Sequence, residues 1–198
     1  MSSAVSTPTI HIFTFKEGLL SRLAHDLRLR VERFEVRLEG GRLTARFDTR
    51  SIRVDGVMRH GALDASAPGE SDRREIERTI AGRVLDVARH PSVVLTATLH
   101  VEGRGARVRG ELELHGRREP IDALVRVDGD QLRAEVVLTP SRWGIAPYRA
   151  MGGTLRVQDR VRVEVALPVA GLDVANTALD AIAHQWQTHA VTTASPSH

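Results

Sequence analysis

The sequence contains no cysteine, and this absence excludes a whole group of sites. Without a thiol there is no disulfide, no thiolate nucleophile, no iron–sulfur cluster and no thiolate zinc site.

No stretch approaches the roughly 18 apolar residues that a membrane-spanning helix needs, so stable membrane insertion is not expected. The residues before Pro8 have neither a basic start nor an apolar run, so no secretory signal is predicted. We therefore expect a cytoplasmic protein, or a periplasmic one if a leader was removed.

Lysine is almost absent as well: Lys16 is the only lysine among the 28 basic residues. The net charge is only +3, and arginines alternate with acidic residues between Arg28 and Glu39. Such alternation is typical of a solvated sheet face on which opposite charges meet on neighbouring strands. We favour this interpretation over a phosphate-binding stripe, and we expect no nucleic-acid partner.

Apolar residues recur at every second position through most of the chain, which predicts β-strands. Eight segments show this alternation, at about residues 10–16, 27–38, 43–47, 93–101, 108–114, 121–127, 132–138 and 161–167. In the second segment the alternation slips by one residue between Val31 and Phe34, which predicts a β-bulge. Eight sequential antiparallel strands are enough to close a barrel around one small ligand. The sequence therefore predicts a mainly β fold, an eight-stranded antiparallel β-barrel.

One helix is predicted inside this series of strands. Asp72 is placed to cap the N-terminus of a helix, and Glu75, three residues later, completes the spacing of a capping box. Apolar residues then follow at helical spacing, and the helix should end before His90-Pro91.

A second amphipathic helix is predicted near the C-terminus, at about residues 171–188. It could pack over one barrel end, pair with another copy in a homodimer, or touch a membrane. Its polar face carries no lysine or arginine, which disfavours binding to anionic lipid. The expected division is a barrel domain at 9–168, followed by a C-terminal helix and disordered tail at 169–198.

Few residues indicate a catalytic, metal-binding or phosphate-binding site. Ser21, His25 and Asp26 could be a nucleophile with its base, but adjacent strand residues point to opposite faces, and no Gly-x-Ser-x-Gly elbow is present. The histidines lack metal-ligand spacing, and no phosphate-binding glycine loop occurs. We therefore expect no catalytic residue, no metal and no cofactor. Two alternatives remain open: a lipid-modifying enzyme that uses His25 or Tyr148, and a packed barrel that serves as a scaffold for protein or nucleic acid.

Three stretches resemble the YceI-like family of lipid- and polyisoprenoid-binding proteins. They are Asp86–Val93, the segment Val108–Ile121 with its Leu-His-Gly hairpin, and Gly144-Ile145 followed by Gln158–Val163. In order and spacing the resemblance covers roughly Ile10 to Pro168. It implies a lipocalin-like eight-stranded barrel that holds an isoprenoid or quinone tail.

The composition favours the same function. Aromatic residues make up only 4% of the chain, and small aliphatic side chains fill a barrel poorly, so we expect a ligand to occupy the interior. We expect the protein to carry or sequester an isoprenoid, quinone or fatty amphiphile without catalysis. The residues predicted to line the cavity are Phe13, Phe15, Leu20, Leu23, His25, Leu27, Leu29, Phe47, Leu95, Leu112, Val136, Trp143, Tyr148 and Val163.

Overall fold

Antiparallel strands dominate the part of the chain that the computed structural model describes, residues 7–17, 26–102, 105–150, 152 and 155–168. The strands are β1 (Thr9–Glu17), β2 (Asp26–Val31), β3 (Phe34–Glu39), β4 (Arg42–Asp48), β5 (Ile52–Arg59), β6 (Ala62–Asp64), β7 (Ser92–Glu102), β8 (Gly105–Leu114), β9 (Arg117–Asp128), β10 (Gln131–Leu138), β11 (Arg149–Ala150) and β12 (Leu155–Pro168). Short 3-10 helices lie at Thr49–Ser51 and Pro140–Trp143. The mainly β prediction is confirmed.

One α-helix, α1 (Glu70–Thr79), lies between β6 and β7 and continues as a π-helical turn over Ile80–Val84. It is docked beside β5, where the Glu77 carboxylate accepts a hydrogen bond from the Val54 backbone N–H at 2.8 Å. The mid-chain helix is therefore confirmed. Its predicted start is wrong, because the helix begins two residues before Asp72 and no side chain caps it. Within the described residues, no helix has the length and hydrophobicity to cross a membrane.

The strands form one sheet in the order β3-β4-β7-β8-β9-β10-β12-β1-β2-β5-β6, with β11 paired to β12. β12, the last strand among the described residues, thus lies in the interior of the sheet. Val163 of β12 faces Val136 of β10 on one side and Ile12 of β1 on the other.

A bent hairpin makes the sheet curl. β3 pairs with β4, and β2 pairs with β5, so β2–β3 and β4–β5 are the two arms of one long hairpin. The half formed by β3 and β4 joins β7 through β4, and the half formed by β2 and β5 joins β1 through β2. The same hairpin therefore belongs to both flanks of the sheet and holds them together.

Hydrogen bonds around Ser51 fix the bend. This side chain is fully buried, at 0% exposed. Its hydroxyl donates to the Asp48 carbonyl at 2.7 Å and accepts from the Arg33 N–H at 3.0 Å. The Glu32 N–H also donates to the Ser51 carbonyl at 3.2 Å. Polar groups that the broken ladder would leave unpaired are thus satisfied inside the bend.

Twelve strands are present in the described residues where eight were expected for the chain, so that number is not confirmed. The predicted slip between Val31 and Phe34 marks a division into two strands at the bend instead of a bulge within one strand. β5, β6 and β11 were not predicted. In β5 the register with β2 shifts at Asp55, and this bulge interrupts the alternation on which the prediction relied. The predicted C-terminal helix at 171–188 lies outside the described residues.

Candidate functional site

The strands present a continuous apolar face around the curled sheet. Directly opposed residues share a face, and the ladders oppose Leu95 to Leu112 and Val136 to Val163. Half of the fourteen predicted lining residues lie on this face: Leu27, Leu29, Phe47, Leu95, Leu112, Val136 and Val163. The structure therefore brings these side chains together on one surface.

The middle of this face is incompletely packed. Leu112 is 6% exposed, whereas Leu95, Val136 and Val163 are only half-buried. A close-packed core would bury such mid-strand aliphatic side chains completely. Accessible apolar surface therefore remains inside the curl.

Leucine side chains close one end of the interior. Leu38, beside the Gly40-Gly41 turn, and Leu132, beside the Gly129-Asp130 turn, are buried in one cluster. The residues packed against them are Leu43, Leu99, Val125 and Val127. Four strands separate β3 from β10 in the sheet order, so this contact is possible only because the sheet curls back on itself.

Trp143 lies towards the opposite end, where β8 runs into the His115-Gly116 turn. It ends the 3-10 helix that follows β10, and the helix is stopped by Gly144 with a left-handed φ of 79°. The indole is 1% exposed, and its N–H donates to the Leu112 carbonyl at 2.9 Å. The predicted lining residue Trp143 therefore acts as a plug, meaning a buried, hydrogen-bonded side chain at this end of the interior.

Two histidines support that plug. The rings of His90 and His115 lie 4.3 Å apart between centroids, and His115 is hydrogen-bonded to the Trp143 backbone. The pKa of His115 is lowered, first by burial and second by the nearby His90. The neutral imidazole is thus the form that this packing favours.

Phe13 and Phe15 are not brought together with the other predicted lining residues. Alternation from Ile12 places both on the opposite face of β1, where Phe13 is directly opposed to Arg162 and Arg28. The Arg162 guanidinium lies 4.3 Å from the Phe13 ring centroid, and the ring is only 5% exposed. Arg160 lies similarly over Phe15, at 5.6 Å. Both aromatics are covered by arginine on the charged side of the sheet.

The remaining predictions concern Tyr148 and the segment between β1 and β2. Tyr148 is half-buried, and its ring packs beneath the Arg83 guanidinium at 5.4 Å, next to the π-helical turn. Leu20, Leu23 and His25 lie outside the described residues, so their predicted lining role stays a prediction. The alternative of a lipid-modifying enzyme that uses His25 or Tyr148 also stays a prediction.

The charged face carries a buried carboxylate. Asp55, whose side chain is 9% exposed, accepts hydrogen bonds from Arg28 at 2.9 Å and Arg30 at 2.6 Å. His11 approaches the same carboxylate at 3.5 Å, and burial followed by the Arg28 charge lowers its pKa. Opposite charges on neighbouring strands are therefore confirmed here, where they form internal ion pairs.

A cleft opens the wall of the sheet between β9 and β10. The ladder joining these strands runs from Gln131–Asp128 only to Ala134–Val125, although β10 remains paired with β12 as far as Leu138. Beyond that point the strands separate and leave a cavity of about 550 Å³. Its lining residues are Arg109, Gly110, Pro120, Ile121, Asp122, Val136, Val137, Leu138, Thr139, Arg142 and Trp143.

Sequence reasoning found Val136 and Trp143 but missed the rest of this cleft. One signal was present: proline within a sheet is confined to positions that can spare a ladder hydrogen bond. Pro120 lies within β9, in the part of the strand that has lost its β10 partner. The alternation predicts a strand only from residue 121, so Pro120 was expected to lie just before it. Among the described residues, no group of three or more histidine or acidic side chains could hold a metal ion.

The fold and this interior define a curled antiparallel sheet protein with an accessible apolar core. A family model described as the YceI-like domain matches residues 9–169. The chain therefore belongs to the YceI-like family, and the resemblance drawn from the sequence is confirmed.

Solved structures agree on the fold. Burkholderia cenocepacia BcnA matches with a TM-score of 0.55 at 12% identity, over 80% of this chain and 94% of that one. A polyisoprenoid binding domain from Saccharophagus degradans, implicated in plant cell wall breakdown, matches with a TM-score of 0.52 at 11% identity, over 80% and 91%. No curated protein matches the chain.

Proposed function

We propose that the protein binds and carries an amphiphilic lipid of isoprenoid or quinone type, without catalysis, in a closed barrel of eight strands. The eight are obtained by counting β2–β3 and β4–β5 as one bent strand each and leaving out β6 and β11. The continuity of that hairpin between β1 and β7 supports closure. The name of the Saccharophagus degradans neighbour supports the ligand class.

One observation carries this proposal: the half-buried aliphatic residues in the middle of the interior. Each methylene removed from water contributes about 0.8 kcal/mol, so one five-carbon isoprene unit gives about 3–4 kcal/mol. Several units exceed the ~4–15 kcal/mol that association costs in lost freedom. A long hydrocarbon tail can therefore bind tightly without a specific polar contact.

The test places the same charge on the two faces of one strand. Leu95→Lys puts an ammonium on the apolar face, whereas Thr96→Lys puts it on the exposed face, directly opposite Glu111. We expect the Leu95 variant to lose most of the lipid that mass spectrometry detects in an organic extract of the purified protein, and the Thr96 variant to keep it. Leu95→Trp fills the interior without a charge and should also lower occupancy while the thermal transition stays cooperative.

Equal lipid content in all three variants and the unmodified chain would contradict the proposal. So would an unmodified chain that contains no lipid and binds neither farnesol nor a fatty acid. That second result would favour the packed scaffold.

A further inference from the structure

The cleft between β9 and β10 is lined by residues from both faces of the sheet. Gly110, Ile121, Val136 and Leu138 belong to the apolar face, because Gly110 opposes Ile121 and Val136 opposes Val163. Their neighbours along the same strands, Arg109, Asp122 and Val137, belong to the charged face, yet they line the same cavity. The cavity is therefore lined by consecutive residues of β8, β9 and β10, and it lies where the β9–β10 ladder is missing.

The cleft is apolar inside and polar at its rim. Ile121 and Val136 line it from the apolar face, and Trp143 is a further lining residue. At the rim, Arg109 pairs with Asp122 at 3.1 Å, and Arg142 pairs with Glu119 at 2.6 Å. Val137 stands at the outer edge with 49% of its surface exposed. This gradient matches an amphiphile whose chain points inward and whose polar end stays at the surface.

The ends of the interior are less suited to a passing chain. The Leu38–Leu132 cluster fills one end with close-packed leucine and valine. At the other, Trp143 is held by its hydrogen bond to Leu112, and the tilted ring pair of His90 and His115 lies beside it. Opening either end would break well-packed contacts, whereas the β9–β10 ladder is already open.

We propose that the hydrocarbon chain reaches the interior sideways, through the cleft between β9 and β10. This proposal rests on the lipid-binding function proposed above. The volume of about 550 Å³ lies within the range of ordinary small-ligand pockets, and the β9–β10 ladder is already unpaired beyond Ala134.

The absence of cysteine permits a direct test with single-cysteine variants. Val137→Cys places a thiol at the cleft, and Val101→Cys places one near the leucine-filled end, where Val101 is 43% exposed. Each thiol is coupled to the same maleimide-polyethylene glycol. Association and dissociation of a dansylated fatty acid are followed by stopped-flow fluorescence, with farnesol as the competitor.

We expect the modified Val137 variant to take up and release the probe about tenfold more slowly, which corresponds to a barrier about 1.4 kcal/mol higher. Its dissociation constant should stay unchanged, because an obstructed passage slows both directions equally. Ile121→Trp, which fills the cleft without a label, should slow both rates in the same way. The modified Val101 variant should match the unmodified protein.

Three results would overturn the proposal: equal rates in both modified variants, slowing confined to the Val101 variant, or a weaker affinity at Val137 with unchanged association. The last would identify the cleft as a binding pocket instead of a passage. Failure of the unmodified protein to bind the probe or farnesol would contradict the proposed function itself, and is distinguished by equilibrium titration.

Discussion

The two ends of the curled sheet are closed by different kinds of contact. At the Leu38–Leu132 end, aliphatic side chains from opposite walls pack together with no polar partner in the cluster. At the Trp143 end, one large ring is positioned by directional hydrogen bonds, with two histidines behind it and an unpaired strand edge beside it. The first end holds the walls together, and the second leaves them partly separated. The comparison indicates that both ends contribute to stability, whereas only the Trp143 end lies beside an opening in the sheet.

Among substitutions that test this difference between the two ends, Trp143→Ala should have the largest effect. Removing a fully buried indole should lower the free energy of unfolding by about 4 kcal/mol, because a cavity forms and the Leu112 carbonyl loses its donor. Urea denaturation monitored by circular dichroism measures the loss. Since the cleft is also enlarged, probe release should become faster. Trp143→Phe keeps most of the bulk and should retain most of the stability; the same loss in both variants would show that the hydrogen bond, not the packing, holds this end.

Leu38→Ala tests the other end. We expect the free energy of unfolding to fall by about 3 kcal/mol, since a buried leucine is truncated where walls from distant parts of the sheet meet. Denaturant titration provides the measurement. The rate of probe release should remain that of the unmodified protein. Faster release from this variant would mean that the leucine-filled end also admits ligand, and the contrast between the ends would fail.

The smallest expected effect is a pH dependence that arises at the Trp143 end. Because the pKa of His115 is lowered in the folded protein, the unfolded chain binds a proton more readily. The contribution of His115 is therefore fully present above its unfolded pKa of about 6.5, and it is lost as the pH falls through the lower folded value. Urea titrations at pH 7.5 and 5.5 should show lower stability at the acidic value.

His11 provides the matched control, since its pKa is lowered on the charged face, away from either end. His115→Gln should remove one part of the pH dependence and His11→Gln the other. We also expect acidic pH to accelerate probe release, because protonation of His115 loosens the Trp143 end. Only the His115 substitution should remove that acceleration. If His11→Gln alone abolishes the whole pH effect, the histidine pair does not contribute to the closure at Trp143.

Alternation in the sequence was sufficient to place most strands, because residues such as Leu95 and Val163 face an apolar interior while their neighbours face charge or solvent. It failed where both faces are partly apolar. Ile12 and Phe13 are adjacent hydrophobic residues, and only the pairing of Phe13 with Arg162 shows which of them faces outward. β5 was missed because the bulge at Asp55 shifts the period within a short strand.

The cleft depends on information that the local pattern does not contain. Ile121, Val136 and Leu138 look like ordinary inward positions of paired strands, and nothing in their spacing reveals that the β9–β10 ladder ends at Ala134. Pro120 was the one local indication. The bend at Ser51 is similar: the sequence showed a slip in period, but the hydrogen bonds that turn the slip into a corner come from three separate segments.

The place of β12 between β10 and β1 has a consequence for biosynthesis. Thr9 is paired with Ala166, so a neighbour of the first strand leaves the ribosome only when nearly the whole domain has been made. Until then β1 and β10 each expose an edge that another chain could join. A truncation before residue 155 would make that exposure permanent, and we would expect such a fragment to aggregate even though every other strand is present.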